Sequence, residues 1–131
     1  MSMEQVNLLH IMVVGPLLMY IGITRAKPII SQRDPKDQYN RVVISSDMLY
    51  GALGMLGVML LFIVRLPVDT GIRSIINLVH YVLWVPLFWY VSYRRDMTPS
   101  WVFDILSPLG FTVIVVHLVL LLARVKGKAL I

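Results

Sequence analysis

The sequence predicts an all-α fold: an integral membrane four-helix bundle built from two tandem repeated helical hairpins, in a single domain covering residues 1–131. Three observations predict it. The composition is 58% hydrophobic and only 15% charged, with a mean hydropathy of +0.79. Charges are missing from four stretches, roughly residues 5–24, 48–64, 74–93 and 105–123. At about 1.5 Å per helical residue each stretch covers roughly 26 to 30 Å, close to a hydrocarbon core of about 30 Å. These runs lack the period of two that a strand would show, so helices are expected. Finally, "NLLHIMVVGPLLMYIG" (7–22) is echoed by "NLVHYVLWVPLFWYVS" (77–92). Asn7, Leu8, His10, Pro16, Leu17 and Tyr20 recur as Asn77, Leu78, His80, Pro86, Leu87 and Tyr90.

The first span is expected from about Val6 to Ile23 and stops at "TRAKP". There Arg25 and Lys27 can meet the last carbonyls and the headgroups, and Pro28 cannot continue the helix. A polar loop, "ISQRDPKDQYNR", follows. The second span opens at "SSD", with Ser45 or Ser46 as cap, and ends near Arg65 and Pro67. The short connection "LPVDTGIRS" makes the second and third spans an antiparallel pair. The third ends at "YRRD". In "TPSW", Thr98 is expected as N-cap, Pro99 at the first helical position and Trp101 at the interface. The fourth runs into the basic tail "RVKGKALI".

The second spans also align: "LYGALG" (49–54) with "ILSPLG" (105–110), sharing Leu53-Gly54 and Leu109-Gly110. Repeat 1 then covers about residues 5–66 and repeat 2 about 74–124. An even number of spans per repeat gives both halves one membrane orientation, related by a pseudo-two-fold axis along the bilayer normal. Both termini are expected on one side. The positive-inside rule does not assign that side, because seven Lys or Arg lie on one face and five on the other.

With no cysteine, disulfides, thiolate metal sites and cysteine nucleophiles are excluded. "MSMEQVN" lacks the basic n-region of a cleaved signal, so the first span is expected to remain as a helix. The net charge of +5 sits in loops and tail. It suits anionic headgroups, and no aromatic-interleaved basic patch points to nucleic acid. The expected partners are therefore the lipid bilayer and other membrane subunits or further copies of the chain.

His10, His80 and His117 carry the sharpest chemistry. Counted from their span ends, all three lie roughly 6 to 9 Å below the same face. Facing inward, they would form a histidine cluster able to bind a divalent metal, ligate haem iron or relay protons. Alternatively, each pairs with a neighbour such as Asn7 or Asn77, as polar glue between helices, or snorkels to the interface. No acidic residue lies within these spans, which argues against zinc catalysis. Pro16 and Pro86, near mid-span, would kink two helices at equivalent points. Gly51, Gly54 and Gly57 form a smooth strip for close backbone approach. Of the aromatics in the third span, those near its end read as an interfacial belt, and those near its middle as a contact surface for a subunit, pigment or lipid. Ser and Asp occur only at helix ends, and no nucleophile with a partner base is visible, so no enzymatic activity is expected.

The pattern H-x5-P-L-L-x-Y-I-G, from His10 to Gly22, resembles one in small uncharacterised multi-pass membrane proteins of large DNA viruses of algae and protists. The second copy, His80 to Ser92, departs from it at Ser92. The resemblance implies a viral membrane protein and carries no catalytic residue across. The expected role is non-enzymatic, a structural or interaction subunit of a membrane or virion assembly. The alternative is a histidine-dependent conduit for protons or metal, or a haem-binding electron carrier.

Overall fold

The computed structural model describes residues 2–31, 41–64, 71–128 and 130. The centre of the polar loop (32–40) and most of the connection after the second helix (65–70) lie outside them. Among the described residues there are four long apolar helices: α1 (Met3–Thr24), α2 (Ser46–Ile63), α3 (Ile72–Met97) and α4 (Ser100–Val125). Each is long and apolar enough to cross a membrane, and only 17% to 33% of each apolar window is buried. Side chains such as Met12, Phe62 and Val125 stand outward, leaving an apolar surface around the bundle.

Local chemistry sets the helix ends. Ser2 and Gln5 close a capping box at the start of α1, each side chain meeting the other's backbone N–H. Ser45 caps α2, its hydroxyl accepting from the Met48 N–H at 3.2 Å, as its position before the apolar run predicts. Thr98 does not cap α4. Its side chain is buried, its hydroxyl has no partner among the described residues, and the helix begins at Ser100 with Pro99 preceding it. Tyr81 of α3 closes the far end of α2 by donating to the carbonyls of Leu61 and Val64.

α1 ends in two consecutive left-handed residues, Arg25 (φ 54°) and Ala26 (φ 57°). Non-glycine residues adopt this conformation only where neighbours hold it. Here the Ser46 hydroxyl donates to the Ala26 carbonyl at 2.7 Å, and the Tyr50 hydroxyl to the Arg25 carbonyl at 3.3 Å. The chain then enters a short antiparallel ribbon, β1 (Ile29–Ser31) with β2 (Arg41–Ile44). The β-branched residues flanking the polar loop account for it.

Packing departs from two self-contained hairpins. α1 packs chiefly on α4, and α2 chiefly on α3, while contact between α1 and α2 is slight. The first helix of each half therefore lies against the second helix of the other. The α2–α3 pair is the one that the short connection predicts. Leu18, Ile21, Leu49, Tyr50, Leu53, Phe88, Val91, Phe103 and Leu106 form part of one continuous core between the pairs.

Glycines set the closest approaches. A Cβ on Gly22 would lie 2.6 Å from the Ser107 nitrogen and 2.8 Å from the Phe103 oxygen. One on Gly110 would lie 2.6 Å from the Gly15 oxygen. Only glycine lets these two backbones touch. In the predicted strip, Gly54 faces Ser92 and Gly57 faces Trp89, whereas Gly51 meets nothing within 4 Å.

Candidate functional site

Pro16 of α1 and Pro86 of α3 meet the same local problem in the same way, whereas Pro108 of α4 sits in a continuous α-helix. Proline lacks an N–H, and its ring crowds the carbonyl one turn earlier. Immediately before Pro16 the helix opens into a π turn, His10–Val14, with the Gly15 N–H reaching the His10 carbonyl. Before Pro86 it does so again over His80–Trp84, with the Val85 N–H reaching the His80 carbonyl. Each π turn inserts one residue and so rotates the helix before it by about 100° relative to the helix after it. Each place where a kink is expected thus carries a local change of register, and each begins at a histidine.

The three imidazoles meet. His10 of α1 stacks on His117 of α4, with ring centroids 3.9 Å apart and planes inclined by 19°. His80 of α3 meets His10 edge to face at 6.4 Å. The depth match seen in the sequence thus corresponds to ring contacts across three helices.

Hydrogen bonding gives the rings two different settings. His10 and His80 each hold Nδ1 2.7 Å from a carbonyl one turn earlier on the same helix, those of Val6 and Ile76. A carbonyl only accepts, so Nδ1–H donates, and in the neutral ring Nε2 is left as the acceptor. His117 instead reaches across to α1, its Nδ1 lying 3.0 Å from Oδ1 of Asn7. Asn7 is fully buried, and its Nδ2 has no partner among the described residues. Leaving such a donor unpaired costs on the order of 1–3 kcal/mol. Asn77, at the equivalent place on α3, is half-buried and makes no such bond among the described residues.

As a metal site this arrangement is poorly disposed. The lone pairs of two stacked rings lie in nearly parallel planes, whereas tetrahedral ligation needs them to converge on one point about 2 Å away. Among the described residues, no group of three or more His, Cys, Asp or Glu side chains is placed to hold a metal ion. His10, His80 and His117 come together as ring contacts, not as a converging ligand set.

The other polar constellation lies at the opposite end of the bundle. Arg25 sits 5.8 Å from the centre of the Phe103 ring, so the last turn of α1 meets the first turn of α4. Arg95, also at positive φ (52°), pairs with Asp47 at 2.9 Å, so the end of α3 meets the start of α2. The alignment that sets His10 on His80 sets Arg25 on Arg95. The alignment that sets Leu53 on Leu109 sets Asp47 on Phe103. The side-chain chemistry differs while the placement is common. Neither the paired arginines nor the π turns were evident from side-chain types alone.

No known protein family, curated protein or solved structure matches the chain.

Proposed function

We propose that the protein is an integral membrane protein of four spans and two tandem repeats, serving non-enzymatically as a structural or interaction subunit. The apolar surface left around all four helices supports membrane integration. The repeat is supported by the pattern of burial. Gly15, Leu18 and Ile21 are buried, as are Val85, Phe88 and Val91, and the prolines next to Gly15 and Val85 are both exposed. The π turns and the positive-φ arginines recur in the same register.

The observation that carries the structural reading is the bond between His117 and Asn7. It joins α4 to α1 where both are apolar, and the stacked His10 ring covers it. Polar pairs of this kind hold membrane helices together. His10 and His80 satisfy their Nδ1 atoms within their own helices. All three histidines thus have a part in holding the fold.

A second reading has its own observation. The Nε2 atoms of His10 and His80 are acceptors, and they lie within a three-imidazole contact in the membrane interior. Such atoms are suited to a proton conduit. The metal-conduit and haem-carrier forms are less well served by stacked rings.

Replacing each histidine by leucine separates the readings. In the structural reading, His117→Leu leaves Asn7 buried without any partner and lowers stability by about 1–3 kcal/mol, more than His10→Leu or His80→Leu. The wild-type protein then shows no Soret band and no pH-driven flux in liposomes. Flux in the wild type that each replacement abolishes, with thermal stability retained, would reject the structural reading in favour of the conduit.

A further inference from the structure

At the end of α3 opposite the histidines, one groove is lined by Gly54, Trp89, Ser92, Tyr93 and Arg95, with a volume of about 580 Å³. Small residues make it. Gly54 of α2 and Ser92 of α3 face each other, and a Cβ on Gly54 would lie 2.6 Å from the Ser92 hydroxyl. Trp89 and Tyr93, one turn apart, form its aromatic side, and Tyr93 is 86% exposed. Among the described residues, the Trp89 Nε1–H and the Ser92 and Tyr93 hydroxyls have no hydrogen-bond partner. Arg95, at positive φ (52°), stands at the mouth beside Asp47. Asp47 engages only Nη1, and the Arg95 side chain is still 55% exposed.

We propose that this groove binds an anionic glycerophospholipid of the surrounding leaflet. The reading rests on membrane integration, and it gives the aromatic contact surface of α3 an occupant. The Ser92 and Tyr93 hydroxyls and the Arg95 guanidinium lie toward the helix end, where headgroups meet water, while the Trp89 Nε1–H lies deeper, against Gly57. Arginine matches a phosphate with its remaining N–H groups, and Trp and Tyr are suited to the zone between acyl chain and headgroup. The acyl chain lies along the trough above Gly54. Asp47 competes with the phosphate for Arg95, so the two partners of this ion pair act in opposite directions on lipid binding.

That opposition supplies the test. The full chain in a zwitterionic detergent is titrated with brominated phosphatidylglycerol or brominated phosphatidylcholine. Binding is read from the tryptophan fluorescence that the bromines quench, with Trp89→Phe identifying the share due to Trp89. The expected preference for phosphatidylglycerol is about fivefold, the contribution of one basic residue to an anionic lipid. Arg95→Gln reduces the preference to none, and Asp47→Asn increases it. An ion pair that only braces the fold would leave the preference unchanged in both variants. Equal quenching by the two lipids in the wild type would overturn the proposal. So would displacement of the lipid by millimolar inorganic phosphate, or loss of quenching on concentration-dependent self-association, which would make a second copy the occupant. Failure of the chain to integrate into bilayers would instead remove the membrane reading, whatever the micelle titration shows.

Discussion

Gly22 and Gly54 both sit at helix contacts, yet they face different kinds of atom. A Cβ on Gly22 strikes backbone atoms of Phe103 and Ser107, which cannot move without shifting α4. A Cβ on Gly54 strikes the Ser92 hydroxyl, the end of a side chain that can rotate away. Gly22→Ala is therefore expected to cost about 1–3 kcal/mol and Gly54→Ala clearly less, whereas Gly51→Ala costs nothing and gains up to about 1 kcal/mol of helix propensity. Thermal unfolding of the three variants in one detergent checks that order. Gly54→Leu, too large for a rotamer change at Ser92 to accommodate, should approach the cost of Gly22→Ala. A Gly22→Ala protein as stable as the wild type would mean that α1 and α4 do not touch there. Spacing alone found Gly54 and Gly57 at a helix contact. It also included Gly51, which faces open space, and passed over Gly15, Gly22 and Gly110, which stand seven apart or alone.

At the scale of the elements, helix content and approximate bounds were legible because charge-free runs leave few alternatives. The rest depended on backbone events. A proline forecasts a disturbed helix, but whether it bends or gains a π residue depends on which carbonyls the neighbours can satisfy. His10 and His80 donate to carbonyls at the start of this disturbance, so histidine and proline form one local unit in each helix. Equal depth brought the histidines into one group in the sequence. Their stacking, and the choice of Asn7 over Asn77 as the partner of His117, follow from tertiary placement. The end of α2 is another such case, where Tyr81 on α3 serves carbonyls that α2 leaves open. Tyr81→Phe is expected to lower stability by about 1 kcal/mol and to speed amide hydrogen exchange in the last turn of α2. Unchanged exchange there would show that these carbonyls find other donors.

Across the whole molecule, exchange between the halves is the main feature. Each first helix packs on the second helix of the other half, so neither half buries its own contact surface alone. The reading of four spans in two repeats fixes a topology: Ser2, Gly71 and Lys128 on one side of the membrane, Lys27 and Met97 on the other. All five are exposed, and the chain contains no cysteine of its own. Single cysteines at these positions can be labelled in sealed, uniformly oriented vesicles with a membrane-impermeant maleimide. Ser2→Cys, Gly71→Cys and Lys128→Cys are expected to label alike, and Lys27→Cys and Met97→Cys to show the opposite accessibility. Opposite accessibility of Ser2→Cys and Lys128→Cys, or equal labelling of all five in vesicles shown to be sealed, would contradict that topology.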